Sequence, residues 1–85
     1  LLPLSKPPYF GAFFGGHVLC TLDGLRIDEH MRVLNTERKP IEGLYAVGNC
    51  SSGVSGGTYV HGGISLGSGA VMSWVAVNHV LAAKA

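Results

Sequence analysis

Short stretches of alternating hydrophobic and polar residues occupy the first half of the chain, and this pattern predicts β-strands. Residues 9–14 are rich in aromatic side chains and end at two glycines, and residues 17–22 are again mostly apolar. Both stretches are typical of strands. Residues 25–28 and 31–35 alternate around a short polar turn at 29–30, which predicts an antiparallel hairpin. Residues 36–40 predict a polar loop.

The second half of the chain has a different pattern. Residues 44–47 form an apolar run between glycines, which is typical of a buried strand in a parallel sheet. Residues 48–63 are rich in glycine, serine and threonine. From Leu66 to about Ala82 apolar residues recur at helical spacing, with Ser65 as the expected N-cap. The expected apolar stripe of this helix is Ala70, Trp74, Val77 and Leu81. Together these elements predict a mixed α/β fold class.

Composition limits the partners that the chain can have. Only 13% of its 85 residues are charged and the formal net charge is +1, so nothing favours a nucleic-acid partner. The hydrophobic share is 47%, more than so short a chain can bury in its own core. We therefore expect more polypeptide, a partner subunit or a flat ligand to cover it. The apolar helix is marginal as a membrane span, so a buried helix and no transmembrane segment are expected. The start at Leu1 indicates a processed chain or a fragment, and localisation stays open.

The connection from the apolar run to the helix is the most informative stretch. A strand that ends in glycines and leads into a helix brings backbone N–H groups together at the positive end of the helix, which suits an anionic or electron-rich ligand. The same pattern also fits an ordinary tight connection. Neither GxGxxG nor GxxxxGK[ST] occurs, so any nucleotide phosphates must bind elsewhere.

The histidines and cysteines give weaker indications. No zinc-type spacing occurs, so no metal site is expected. Cys20 and Cys50 are expected to be buried free thiols. His79 lies on the apolar helix and is expected to contact the core or another subunit. His61 lies in the glycine-rich loop, where it either faces a ligand or is simply exposed. Tyr59 in the same loop offers a phenolic O–H as a donor.

Four runs of residues carry a family resemblance. They are P-P-Y-F-G-A at 7–12, D-G-L-R-I-D at 23–28, R-V-L-N-T at 32–36 and G-L-Y-A-V-G-N at 43–49. In order and spacing they resemble the C-terminal segment of FAD-dependent oxidoreductases of the fumarate reductase/succinate dehydrogenase flavoprotein family, which includes 3-ketosteroid dehydrogenases. The resemblance covers residues 7–83.

This resemblance implies a fragment of a Rossmann-like FAD-binding domain with antiparallel hairpin strands, a last buried strand and a long C-terminal helix. Residues 1–85 would be the incomplete C-terminal part of that domain. The implied cofactor is FAD, and the implied partners are the remainder of the FAD and substrate domains and a small-molecule substrate.

Departures from the family motifs indicate the branch. Fumarate reductases read H-T-M-G-G where this chain reads C-T-L-D-G, so Cys20 replaces the histidine that contacts the dicarboxylate. Asn49 replaces the glutamate that holds the flavin ribityl chain, and S-G-G-T-Y at 55–59 lacks the catalytic arginine. The residues T-Y and the later S-L-G-S are more similar to the ketosteroid dehydrogenase pattern T-Y-P-G-A-G-G-T-I-G-P. Here, however, Val60 replaces the proline and His61 replaces a small residue.

The resemblance implies a hydride transfer between FAD and a carbon near a substrate carbonyl, of the ketosteroid dehydrogenase or fumarate reductase kind. The implied residues are Tyr59 and Gly63 at the substrate carbonyl, His61 at the substrate, and Gly48, Asn49, Ser65, Leu66 and Gly67 at the cofactor. The alternative is a non-catalytic subunit or interaction segment that packs its apolar helix against a partner.

Overall fold

The computed structural model describes residues 2–52 and 55–84. Two strands, β1 (Arg32–Leu34) and β2 (Pro40–Tyr45), form an antiparallel sheet in which Leu34 lies opposite Pro40 and Arg32 opposite Tyr45. A single 3₁₀ turn, Gly48–Cys50, follows. A 21-residue helix, α1 (Ile64–Lys84), is the last described element. The described part of the chain is therefore a mixed α/β arrangement with a small sheet and one long helix.

The hairpin predicted around residues 29–30 is confirmed. Ile27 pairs with Val33 in an antiparallel bridge. The Leu34 N–H donates to the Arg26 carbonyl at 2.9 Å, which continues the pairing. Residues 25–28 make only isolated bridges, so they extend the sheet edge without forming a full strand. The predicted alternation of buried and exposed positions agrees with the burial in β1. Val33 is buried, and its neighbours Arg32 and Leu34 are half-buried.

One carboxylate holds the turn of this hairpin. Asp28 Oδ1 accepts hydrogen bonds from the backbone N–H groups of His30 at 2.9 Å and Arg32 at 3.0 Å. Oδ2 accepts from Arg32 Nε at 2.7 Å. Burial of the carboxyl by itself raises its pKa, but the hydrogen bonds and charge of Arg32 and the His30 N–H outweigh burial, so the pKa of Asp28 lies below its ordinary value. The turn also requires a positive φ of 65° at Met31.

The loop between β1 and β2 lies one residue earlier than predicted, because β1 ends at Leu34 and Pro40 begins β2. Asn35 Oδ1 accepts from the N–H groups of Glu37 and Lys39, both at 2.9 Å. This is the way in which asparagine side chains close tight turns. Arg38 takes a φ of 62° to complete the reversal.

The strands predicted at residues 9–14 and 17–22 are absent from the described structure. The phenylalanine side chains of the first stretch are exposed, with Phe10 93% exposed. The propensity for a strand is present, but a strand needs a neighbouring edge for its N–H and C=O groups. Within residues 2–52 and 55–84 no other segment supplies that edge.

The buried parallel strand predicted at residues 44–47 also differs from the structure. Leu44 and Tyr45 end β2, which pairs antiparallel with β1 and is largely exposed. Only Ala46, just beyond the strand, is buried, and its N–H donates to the Met31 carbonyl at 3.1 Å. The tight turn at residues 36–39 places the β1 edge within reach first, which decides the pairing. The described parallel pairing is a single bridge between Leu25 and Ser51.

The C-terminal helix is confirmed, and it begins two residues earlier than predicted. Ser65 is therefore in its first turn and is not the N-cap. Met72 and Ala76 are its buried residues and join Val33 and Ala46 in a small core. The predicted stripe points the other way. Trp74 is 69% exposed, and Val77 and Leu81 are exposed as well.

The length of α1 bears on whether it could cross a membrane. By length and composition alone it could, but this is weak evidence because core helices of soluble proteins meet the same criterion.

His79 makes its contacts within the described chain, which is one of the two outcomes that the sequence predicts for it. Its Nδ1 and the Tyr45 hydroxyl are hydrogen-bonded at 2.9 Å, and its ring stacks on His30 at 4.5 Å.

Both cysteines are free, as expected, but neither is buried: Cys20 is half-buried and Cys50 is exposed. The reason is that Cys50 belongs to the 3₁₀ turn, where its Sγ donates to the Val47 carbonyl at 3.0 Å at the surface.

Gly24 joins the hairpin to the 3₁₀ turn. The Leu25 N–H donates to the Cys50 carbonyl at 2.9 Å, and the Ser52 N–H donates back to the Leu25 carbonyl at 2.9 Å. A Cβ on Gly24 would overlap the Cys50 carbonyl and lie 2.9 Å from the Ser51 nitrogen. Only glycine allows the two backbones to come this close.

Replacing Gly24 by alanine is therefore expected to lower the free energy of unfolding by about 1–3 kcal/mol, the usual cost of overpacking. The control is Gly69→Ala, where the new Cβ would lie at an ordinary 3.6 Å from the Gly48 Cα and alanine favours the helix. Denaturant unfolding of the protein measures the stability of both variants. Equal stability of the Gly24 variant and wild type would contradict the close approach.

Asp28→Asn is expected to destabilise the protein by about 1–3 kcal/mol near neutral pH, because it removes a charged hydrogen-bond acceptor. Since the folded pKa of Asp28 is lowered, its contribution is complete above the unfolded value of about 3.9 and is lost as pH falls through the folded pKa. The difference from wild type should thus vanish in acid. Unfolding measured against pH checks this, with the exposed Asp23→Asn as control. A difference independent of pH would be inconsistent with the lowered pKa.

Candidate functional site

The 3₁₀ turn and the first part of α1 lie directly against each other. Gly48, with a φ of 66°, and Gly69 are in contact, and a Cβ built on Gly69 would lie at an ordinary 3.6 Å from the Gly48 Cα. Ser51 stabilises the turn, since its buried hydroxyl donates to the Gly48 carbonyl at 2.9 Å. The positive φ at position 48 favours glycine there.

A cleft opens beside this contact. It is shallow and open to solvent, with a cavity volume of only about 30 Å³. Its lining is rich in hydroxyl groups, with two apolar side chains and one methionine at the base. The lining residues are Thr21, Leu22, Gly48, Asn49, Ser51, Ser55, Ile64, Ser65, Ser68 and Met72. Such a surface can bind a polar, hydroxyl-bearing ligand along one side, but it forms only one wall of an enclosing site.

The N-terminus of α1 faces this cleft with free donors. The Gly67 N–H donates to the Gly63 carbonyl at 2.8 Å. The N–H groups of Ser65 and Leu66 have no acceptor among residues 2–52 and 55–84. No acidic side chain lies in the first turn. The positive end of the helix dipole is thus uncompensated in the described chain, which favours an electron-rich or anionic ligand.

Asn49 lies at the exposed middle of the 3₁₀ turn and lines the cleft. Its backbone carbonyl accepts a hydrogen bond from the Thr21 hydroxyl, 28 residues earlier in the chain. Its carboxamide can both donate and accept. The structure therefore brings together Gly48, Asn49 and Ser65, three of the residues predicted to contact a cofactor.

The predicted substrate residues form a separate group. Tyr59 is 45% exposed in the loop before α1, and Gly63 ends that loop with a φ of 82°. Between them His61 is exposed, and its Nδ1 lies 2.9 Å from the Gly62 carbonyl. A carbonyl only accepts, so Nδ1 is the donor in this contact, which leaves Nε2 as the acceptor of the neutral ring. None of these three residues lines the cleft.

The other two predicted cofactor residues, Leu66 and Gly67, do not line the cleft. Leu66 is 84% exposed and Gly67 is exposed too. The Gly67 N–H already donates to the Gly63 carbonyl. Its missing side chain leaves the surface open, because a Cβ there would meet nothing within 4 Å.

Several lining residues were not predicted from the sequence. Ser68 follows Ser65 by three residues and so shares its helix face, a spacing that could have been noticed. Thr21 and Ser55 come from separate segments, and no local pattern indicates that they meet. In the described ranges no cluster of three metal-ligating side chains occurs.

Comparison with known proteins decides the family. The pattern of the FAD-binding domain family matches residues 3–66, three quarters of the chain. The chain belongs to this FAD-binding domain family. The predicted family membership is thereby confirmed, and FAD is the cofactor of the family.

Relatives of the chain are named reductases and dehydrogenases. The vinyl phenol reductase of Lactiplantibacillus plantarum is 39% identical over 59 residues, 69% of this chain and 12% of its own. A 3-oxosteroid 1-dehydrogenase of Mycobacterium tuberculosis is 38% identical over 77 residues, 91% of this chain and 14% of its own. The 4-oxocyclohex-2-ene-1-carboxylate 5-dehydrogenase of Sinomonas cyclohexanicum is 37% identical over 74 residues, which are 87% of this chain and 12% of the relative's length. The chain spans roughly an eighth of these relatives. No solved structure matches it.

The residues of the cleft fit an FAD-binding role. Uncapped N–H groups suit the electron-rich edge of a flavin ring, and the hydroxyl-lined wall suits a ribityl chain. These are features of this chain itself, independent of its relatives.

Proposed function

We propose that this chain is part of an FAD-dependent oxidoreductase that exchanges hydride between FAD and a substrate carbon near a carbonyl group. The observation that carries the proposal is the open N-terminus of α1 beside the Gly48–Cys50 turn, in a chain of the FAD-binding domain family. The names of the relatives, reductases and dehydrogenases, support the same reaction class.

We further propose that residues 1–85 are the C-terminal part of a larger, Rossmann-like FAD-binding domain. Exposed apolar side chains in two places support this: the aromatic residues near Phe10 and the outer face of α1 around Trp74. The remainder of the FAD and substrate domains would cover both.

The cofactor would lie against the cleft. FAD, when bound, supplies the hydride acceptor or donor. The Asn49 carboxamide would hydrogen-bond the ribityl hydroxyls, and Gly48 would leave room for them. The N–H groups of Ser65 and Leu66 would hold the N1/O2 edge of the ring, where the positive helix end favours negative charge. Gly67 would keep the rim free of side chains.

The substrate would lie at the loop. The Tyr59 hydroxyl and the Gly63 N–H would donate to the substrate carbonyl oxygen, and both would stabilise the enolate charge that forms when an adjacent carbon loses a proton. Within the described ranges the Gly63 N–H has no other acceptor. The exposed His61, whose Nδ1 is bonded to the Gly62 carbonyl, would accept a hydrogen bond at Nε2 from another polar group of the substrate.

The substrate class follows from these donors and from the relatives. Two of the named relatives act, by their names, on ring compounds that carry an oxo group. A neutral donor pair suits an uncharged carbonyl, whereas a dicarboxylate calls for the arginine that residues 55–59 lack. We therefore favour a cyclic ketone over a fumarate-like substrate. The alternative interaction segment explains only the exposed face of α1, which an incomplete domain explains equally.

Asn49→Ala in the full-length protein is expected to weaken FAD binding on the order of tenfold, since the variant loses hydrogen bonds to the ribityl chain. Titration of the apoprotein with FAD measures the affinity. Asn78→Ala is the control, because the side chain of Asn78 bonds only to the Trp74 carbonyl on the exposed side of α1. Unchanged affinity in the Asn49 variant would exclude the proposed contact.

Tyr59→Phe removes one oxygen and little packing. We expect kcat to fall on the order of a hundredfold, the usual effect of losing one such donor, while flavin content stays constant. Turnover with a 3-oxosteroid or cyclohexenone substrate measures this, and Tyr9→Phe serves as the matched control. If the Tyr59 variant turned over at the wild-type rate, Tyr59 would have only a structural role.

A further inference from the structure

One threonine outside the predicted site makes direct contact with it. Thr21 lies in the segment before the hairpin, 28 residues from Asn49, and its hydroxyl donates to the Asn49 backbone carbonyl. Thr21 also lines the cleft together with Leu22. Sequence analysis assigned no role to this residue.

The contact belongs to a continuous pairing of two segments. A few residues further along both segments, the Leu25 N–H donates to the Cys50 carbonyl and the Ser52 N–H donates to the Leu25 carbonyl, both at 2.9 Å. Those backbone bonds fix Cys50 and Ser52 but not Asn49, which lies one residue before Cys50 in the turn. The Thr21 hydroxyl is the one described side chain that bonds to Asn49.

We propose that Thr21 is a positioning residue for the flavin: it holds the Asn49 peptide so that the Asn49 carboxamide points into the cleft. The inference rests on the proposed function, because it needs Asn49 to contact FAD. The 3₁₀ turn has only three residues, so rotation of one peptide redirects the side chain at its centre. Thr21 itself need not touch the cofactor.

The test is a double-mutant cycle on the full-length apoprotein, with FAD affinity as the readout. Thr21→Val keeps the shape and removes the hydroxyl, and it is expected to weaken FAD binding about fivefold, the factor for one lost hydrogen bond. Thr21→Ser keeps the donor and should restore most of the affinity. In an Asn49→Ala background Thr21→Val should have no further effect, since the side chain that it positions is gone. Thr36→Val, in the exposed β1–β2 turn, is the matched control.

Three outcomes would overturn the inference. The first is a Thr21→Val variant that binds FAD as tightly as wild type, and the second is a Thr21→Ser variant as weak as Thr21→Val. The third is full additivity of Thr21→Val and Asn49→Ala in the double variant, which would mean that Thr21 acts independently of Asn49. Failure of the proposed function looks different, because Asn49→Ala alone would then leave FAD affinity unchanged.

Discussion

The close approach of the Gly48–Cys50 turn to α1 is the contact on which the site depends. Gly48 and Gly69 meet with no side chain between them, and this brings Asn49 beside the open end of the helix. A larger residue at Gly48 would have to adopt a positive φ, which costs L-residues about 1–2 kcal/mol. The turn is held on its other side by the segment around Gly24, where two backbones also touch. The cleft is therefore fixed by backbone contacts at glycines more than by side-chain packing.

The arrangement leaves the positive end of α1 open and one face of the helix exposed. The start of α1 presents free N–H groups without an acidic side chain nearby, an arrangement that a bound electron-rich ligand would stabilise. The small core of Val33, Ala46, Met72 and Ala76 holds the helix in place while its opposite face stays exposed. A large apolar face and a one-walled cleft are both expected of a chain that spans roughly an eighth of its relatives.

Local signals in the sequence predicted local structure well. The hairpin at residues 25–35 and the helix near its observed bounds both arise from contacts between residues close in the chain, and turn residues such as Asp28 and Asn35 fix them. The strands expected at 9–14, 17–22 and 44–47 need partner strands, and a local hydrophobic pattern does not identify which segment supplies them. The same limit applies to the site. Gly48, Asn49 and Ser65 were predicted from the resemblance, whereas Thr21 meets Asn49 only through folding across 28 residues.

The central claim is that the N-terminus of α1 and the adjacent turn bind the flavin ring. A crystal structure of the full-length protein with FAD tests it most directly. The account predicts hydrogen-bond distances of about 2.7–3.2 Å from the Ser65 and Leu66 amide nitrogens to the N1/O2 edge of the ring. A flavin bound elsewhere, with both N–H groups of α1 facing water or protein, would contradict it.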